Sequence, residues 1–144
     1  MQFISRRMAI AALFTLAGLA SAAAAEETYT AKLDGPSETP PTTSAGTGNV
    51  EAKYDPATKM LTWTITYSGL TGPAIAAHFH GPAPVGKPAG IMIPLTGSLE
   101  SPIKGSATLT AEQAKALTDG QMYFNIHTAA HKPGEIRGQM MKRM

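Results

Sequence analysis

The sequence predicts an all-β domain, an antiparallel Greek-key β-sandwich or barrel carrying one short helix. Three observations predict it. The dominant hydrophobic period is two, as in strands with one buried and one solvated face. The period-two runs are short and are punctuated by turn formers, with 14 Gly and 11 Pro in 144 residues. A single stretch carries both helix start and helix stop signals.

Thr28–Leu33 reads as the first strand. Gly35 through Gly48, with Pro36, Pro40 and Pro41 among Ser and Thr, is too rich in turn formers for a strand and is expected as a loop over one end of the domain. Val50, Ala52 and Tyr54 alternate with Glu51, Lys53 and Asp55. Leu61, Trp63, Ile65 and Tyr67 then alternate with Thr62, Thr64, Thr66 and Ser68. Asp55-Pro56-Ala57-Thr58-Lys59 lies between the two runs as turn chemistry, so they form a hairpin with Trp63 on its buried face. Further strands are expected at 75–80, 91–95, 103–109, 122–128 and 135–140. Thr110-Ala111-Glu112-Gln113 is a capping box that opens a helix of about two turns, which Asp119-Gly120 ends. Ala114 and Leu117 give that helix a face to pack on the sheet as a crossover connection.

Residues 1–25 read as a secretory signal peptide. Arg6-Arg7 form a basic start, Met8 through Leu19 a short apolar stretch, and Ala23-Ala24-Ala25 place small residues where the signal peptidase reads. Twelve apolar residues fall short of the roughly 20 needed to span a bilayer, so no membrane span is expected after cleavage. The route of export, general secretory or twin-arginine, stays open. A periplasmic or secreted protein follows. Residues 26–144 are expected to form one domain, since 119 residues suit a single core.

Removing Arg6 and Arg7 from the 12 basic residues leaves as many as the 10 acidic ones, so the processed chain is neutral. The chain has no basic patch of the kind that phosphate backbones require, and nucleic acid is excluded as a partner. With no cysteine, the exported domain holds together by burial and hydrogen bonding, or with a metal, and not by disulfides.

The four histidines occur as two close pairs, His78-Phe79-His80 and His127-Thr128-Ala129-Ala130-His131. In an extended strand residues i and i+2 leave the same face about 7 Å apart, so His78 and His80 can converge on one ion. Ile75, Ala77 and Phe79 form the apolar side of their strand, and Met122, Phe124 and Ile126 that of the later one. His78, His80 and His127 therefore share the polar faces, with Asn125 beside His127. If those strands meet, three imidazoles can bind copper or zinc, copper most tightly in the usual divalent order. His131, in the loop beyond, is an optional fourth ligand. The competing reading of these residues is a set of exposed or hydrogen-bonded structural histidines.

Ala77-His78-Phe79-His80-Gly81-Pro82-Ala83, then Tyr123-Phe124-Asn125-Ile126-His127-Thr128, then Pro133-Gly134-Glu135-Ile136-Arg137-Gly138-Gln139 together resemble the chordin-type (CHRD) domain of chordin and many bacterial exported proteins. The resemblance covers about Tyr29 to Met140. It implies a β-rich, immunoglobulin-like or barrel domain, it places the family's histidine positions at His78, His80 and His127, and it brings no known reaction with it. At His131 the family is expected to show a small polar residue instead. The histidine pattern is more loosely similar to copper-zinc superoxide dismutases. The bridging histidine, the remaining zinc ligands and the disulfide of that family have no match here, so dismutase activity does not follow.

The 133–138 run reads most simply as structural, with Glu135 and Arg137 on one strand face and able to pair. A functional alternative has Glu135 holding the ring N–H of a ligating histidine. No Ser-His-Asp set, paired carboxylates or nucleotide loop is present, which disfavours an enzyme. An exported metal-binding module stands first; an adhesion or protein-interaction module without metal, and a small metalloenzyme, are the alternatives.

Overall fold

The expected hairpin organises the whole sheet. In the computed structural model, which describes residues 18, 22 and 24–144, β2 (Thr47–Asp55) and β3 (Met60–Ser68) pair antiparallel along their full length, from Thr47 opposite Ser68 to Asp55 opposite Met60. Burial alternates strictly in both strands, as the period of two requires. The signal-peptide reading falls almost entirely outside the described residues.

The other elements are β1 (Glu27–Asp34), β4 (Ala74–His80), β5 (Ile91–Pro94), β6 (Ile103–Thr108), α1 (Ala111–Thr118), β7 (Tyr123–Thr128), β8 (Ile136–Gln139) and the two-residue β9 (Met141–Lys142). One continuous antiparallel sheet runs in the order β5-β4-β7-β8-β1-β2-β3-β6, with β9 added to β1. The sheet curls into a nearly closed barrel, so the outcome within the expected class is a barrel and not two separate sheets. Trp63 of β3 meets Phe79 of β4 across the interior at 5.2 Å between ring centroids, and Phe79 meets Phe124 of β7 at 4.8 Å. Edge strands β5 and β6 face each other across a cleft lined by Trp63, Ile93, Ile103 and Gly105, where the barrel stops short of closure.

The apolar faces named from the sequence meet inside. Leu33, Leu61, Ile65, Phe79, Phe124, Ile126, Ile136, Leu117 and Met122 are fully buried. Burying a side chain of this size contributes about 1.5–3 kcal/mol. Helix α1 carries the expected capping box, with Thr110 accepting from the Gln113 amide and Gln113 reaching back to the Thr110 amide. It bridges β6 and β7 as a crossover and buries Ala114, Ala116 and Leu117.

Two local expectations change. Ile75 does not join the apolar face of β4; it is 54% exposed. Ala74 and Ala76 pair with the adjacent residues Thr128 and His127, so Ile75 is the extra residue of a β-bulge and turns outward. Glu135 and Arg137 do not pair with each other. The Glu135 carboxylate accepts hydrogen bonds from Ser44 (2.7 Å) and the Thr71 amide (2.9 Å), tying two loops together. Arg137 points instead toward Thr39 and the carbonyl of Lys87. The loop after β1 packs against the 134–137 segment, through Thr42 on the Glu135 carbonyl and Thr39 on Arg137, and it carries Glu38 into a buried position beside Asn125.

Candidate metal centre

Strands β4 and β7 are neighbours, with His78 opposite Asn125, His80 opposite Tyr123, and Ala76 opposite His127. The apolar residues of both strands point into the barrel, so the alternating polar residues crowd its outer side. That register brings His78, His80 and His127 together, with one ring nitrogen from each within 4.8 Å of the others. His78 Nδ1 lies 3.1 Å from His127 Nε2. The His131 ring is not part of this cluster; it lines a neighbouring cavity with Pro40, Pro41 and Pro133.

The outer side of β4 and β7 is not open water. His80, Tyr123 and Asn125 are buried, while His78 and His127 are partly exposed. Two loops provide the cover. The 81–90 segment places the Ala89 carbonyl 3.0 Å from His80 Nδ1, and the loop after β7 places the Lys132 carbonyl 2.7 Å from His127 Nδ1. Asn125 Oδ1 sits 3.0 Å from His80 Nε2 and 3.0 Å from His127 Nε2. His80 stacks on Tyr123 with centroids 4.8 Å apart and planes 2° from parallel. The Arg137 guanidinium lies over the same tyrosine ring and donates to Thr39 and to the Lys87 carbonyl, which joins the loop after β1 to the covering 81–90 segment.

Burial sets the electrostatics. Desolvation, followed by the neighbouring His127 and His80, pushes the His78 pKa down to about 4. Desolvation also pulls His80 below the ordinary imidazole value, against the raising effect of its bonds to Ala89 and Asn125. Both rings are therefore neutral at pH 7, the form that can coordinate a cation.

Two features escaped the sequence reading. Glu38 is 3% exposed beside Asn125, and burial raises its pKa. Its Oε1 is buried without a hydrogen bond. A Cβ on Gly134 would collide with that oxygen and lie 2.8 Å from Asn125 Nδ2, so only glycine fits there. The available signal was that Glu38 is the sole charged residue between Gly35 and Gly48. The Tyr123–Arg137 stack was the second, and it had no local signature.

The donor set fits a borderline divalent ion in chemistry and approximate size. Metal–imidazole bonds are about 2.0–2.1 Å, which puts ligand atoms roughly 3.3 Å apart in a tetrahedral site. The His78–His127 nitrogen spacing of 3.1 Å is close to that figure, and the three ligand atoms lie within 4.8 Å of one another. Among the described residues no helix is long and apolar enough to cross a membrane.

Neither a search of curated proteins nor one of solved structures finds a match for this sequence. The family model for the CHRD domain matches residues 29–140, a span that runs from β1 through β8 and includes all four histidines. The chain belongs to the CHRD-domain family.

Proposed function

We propose that this protein is an exported metal-binding module that holds one copper or zinc ion through His78, His80 and His127. The observation that carries the reading is the placement of two backbone carbonyls against ring nitrogens. A neutral imidazole has a single N–H. The Ala89 and Lys132 carbonyls can only accept, and each faces an Nδ1 atom, of His80 and His127 respectively. With the hydrogens held there, both Nε2 lone pairs turn toward the same point, beside Asn125 Oδ1. Backbone carbonyls commonly fix ligand tautomers in this way. His78, free to carry its hydrogen on Nε2, offers Nδ1 from 3.1 Å away. The position beside a periplasmic or extracellular surface rests on the signal-like residues 1–25 and on the extracellular type of the domain.

When bound, such an ion supplies Lewis-acid or, for copper, one-electron chemistry. The chain's own residues orient the rings, keep two of them neutral and shield the site from one side. A binding role is the reading that this donor set supports.

Metal uptake by the purified domain decides the matter. The wild type should take up one equivalent of copper or zinc, measured by elemental analysis after desalting, while the triple His78/His80/His127→Ala variant takes up none. Equal uptake by both would overturn the reading in favour of an interaction module without metal.

A further inference from the structure

This inference rests on the metal-site reading and concerns its coordination. We infer that Asn125 is the fourth donor of the centre, through Oδ1, and that Glu38 is the positioning residue that keeps this oxygen turned toward the imidazoles.

Asn125 Oδ1 is equidistant, at 3.0 Å, from His80 Nε2 and His127 Nε2. Once both rings give their N–H to the Ala89 and Lys132 carbonyls, neither contact contains a hydrogen. The His80 nitrogen and the Asn125 oxygen then meet in a buried place with no hydrogen between them, which is costly unless a cation lies there. Turning the Asn125 amide over would relieve the clash by setting its NH2 against the two nitrogens.

Glu38 opposes that turn. Its Oε1 is buried with no hydrogen-bond partner, and it occupies the same small space over Gly134 as Asn125 Nδ2. With the amide reversed, Oδ1 would face the carboxyl oxygen instead of Nδ2. Both Glu38 and Asn125 are 3% exposed, so the two side chains meet away from bulk solvent. The contact of Glu38 with the Asn125 side chain thus holds the amide with its oxygen toward the imidazoles, the orientation that a metal needs. An amide oxygen is a recognised hard donor, and three nitrogens with one oxygen suit copper(II) or zinc and also accept cobalt(II) as a probe.

The test uses copper(II) and cobalt(II) with the processed full-length domain. Wild type, Asn125→Leu, Asn125→Asp and Glu38→Gln are titrated against a competing chelator, and their cobalt(II) visible spectra and copper(II) electron paramagnetic resonance spectra are recorded. Asn125→Leu should lose about tenfold or more in affinity and change both spectra. Asn125→Asp keeps an oxygen donor and adds charge, so it should bind more tightly with the wild-type band pattern. Glu38→Gln should weaken binding by itself, yet have no effect when added to Asn125→Leu, which a merely structural role would not produce. Wild-type affinity and spectra in a folded Asn125→Leu variant would overturn the inference, and so would unchanged affinity in Asn125→Asp if the leucine variant fails to fold. Failure of the wild type itself to bind either ion would instead remove the underlying metal reading.

Discussion

The Arg137 guanidinium lies 3.5 Å from the centroid of the Tyr123 ring, buried at 2% exposure, and its two terminal nitrogens reach Thr39 and the Lys87 carbonyl. This arginine therefore links β8 to the 81–90 segment that covers His80 and to the loop after β1. A planar, forked cation can stack and donate in two directions at once, which a lysine cannot.

Arg137→Lys should accordingly be a damaging change. It leaves at least one partly buried acceptor unpaired and removes the stack over Tyr123, at a cost of about 1–3 kcal/mol. Urea unfolding monitored by circular dichroism should show a lower midpoint at an unchanged slope. A midpoint equal to wild type would mean that the loops hold themselves in place.

Metal-free stability should fall as pH falls from about 6.5 toward 4. The His78 pKa is about 4 in the folded chain against an ordinary 6.5, so within that window the unfolded chain takes up a proton that the folded one refuses. His80 is shifted in the same direction. Glu38 has the opposite sign, because its raised pKa favours the folded form at low pH, and it offsets part of the loss. Unfolding midpoints measured with chelator at pH 7.5 and pH 4.5 should differ, and His78→Gln should narrow the difference. An equally steep dependence in that variant would contradict the assignment.

Gly105 of β6 packs against the Trp63 ring, where an added Cβ would lie 2.8 Å from Cζ2 and 2.9 Å from Nε1. Gly105→Ala should therefore force the indole to shift and destabilise the domain by about 1–3 kcal/mol. Trp63 is the only tryptophan and is 6% exposed, so its emission should be blue-shifted in the wild type and move to longer wavelength in the variant. Unaltered emission and stability would show that the seam between β5 and β6 gives way without cost.

Ile75 and Phe79 lie on the same strand and should respond very differently. Ile75→Ser, at the outward bulge, should change stability by no more than about 0.5 kcal/mol. Phe79→Ala, in the barrel interior against Trp63 and Phe124, should cost about 3–5 kcal/mol. Thermal unfolding of the two variants side by side checks the bulge directly, since comparable losses would return Ile75 to the core.

The sequence alone determined what is local. Alternation along 50–54 and 61–67 specified a hairpin with Trp63 inside, because side chains of successive strand residues leave opposite faces. Thr110 and Gln113 specified a helix start, since a capping box closes within four residues. The same alternation put His78, His80 and His127 opposite the apolar sides of their strands. What it could not determine was which strands meet. β4 and β7 pair across more than forty residues, and that choice follows from how the whole sheet buries its apolar face, not from any neighbour in the chain. For the same reason Glu38 was illegible as part of the site: a loop of Gly, Pro, Ser and Thr carries no period that says where its one carboxyl will be buried. Ile75 shows the limit within a single strand. One extra residue against Thr128 and His127 reverses its face, and only the tertiary pairing decides where that residue is inserted.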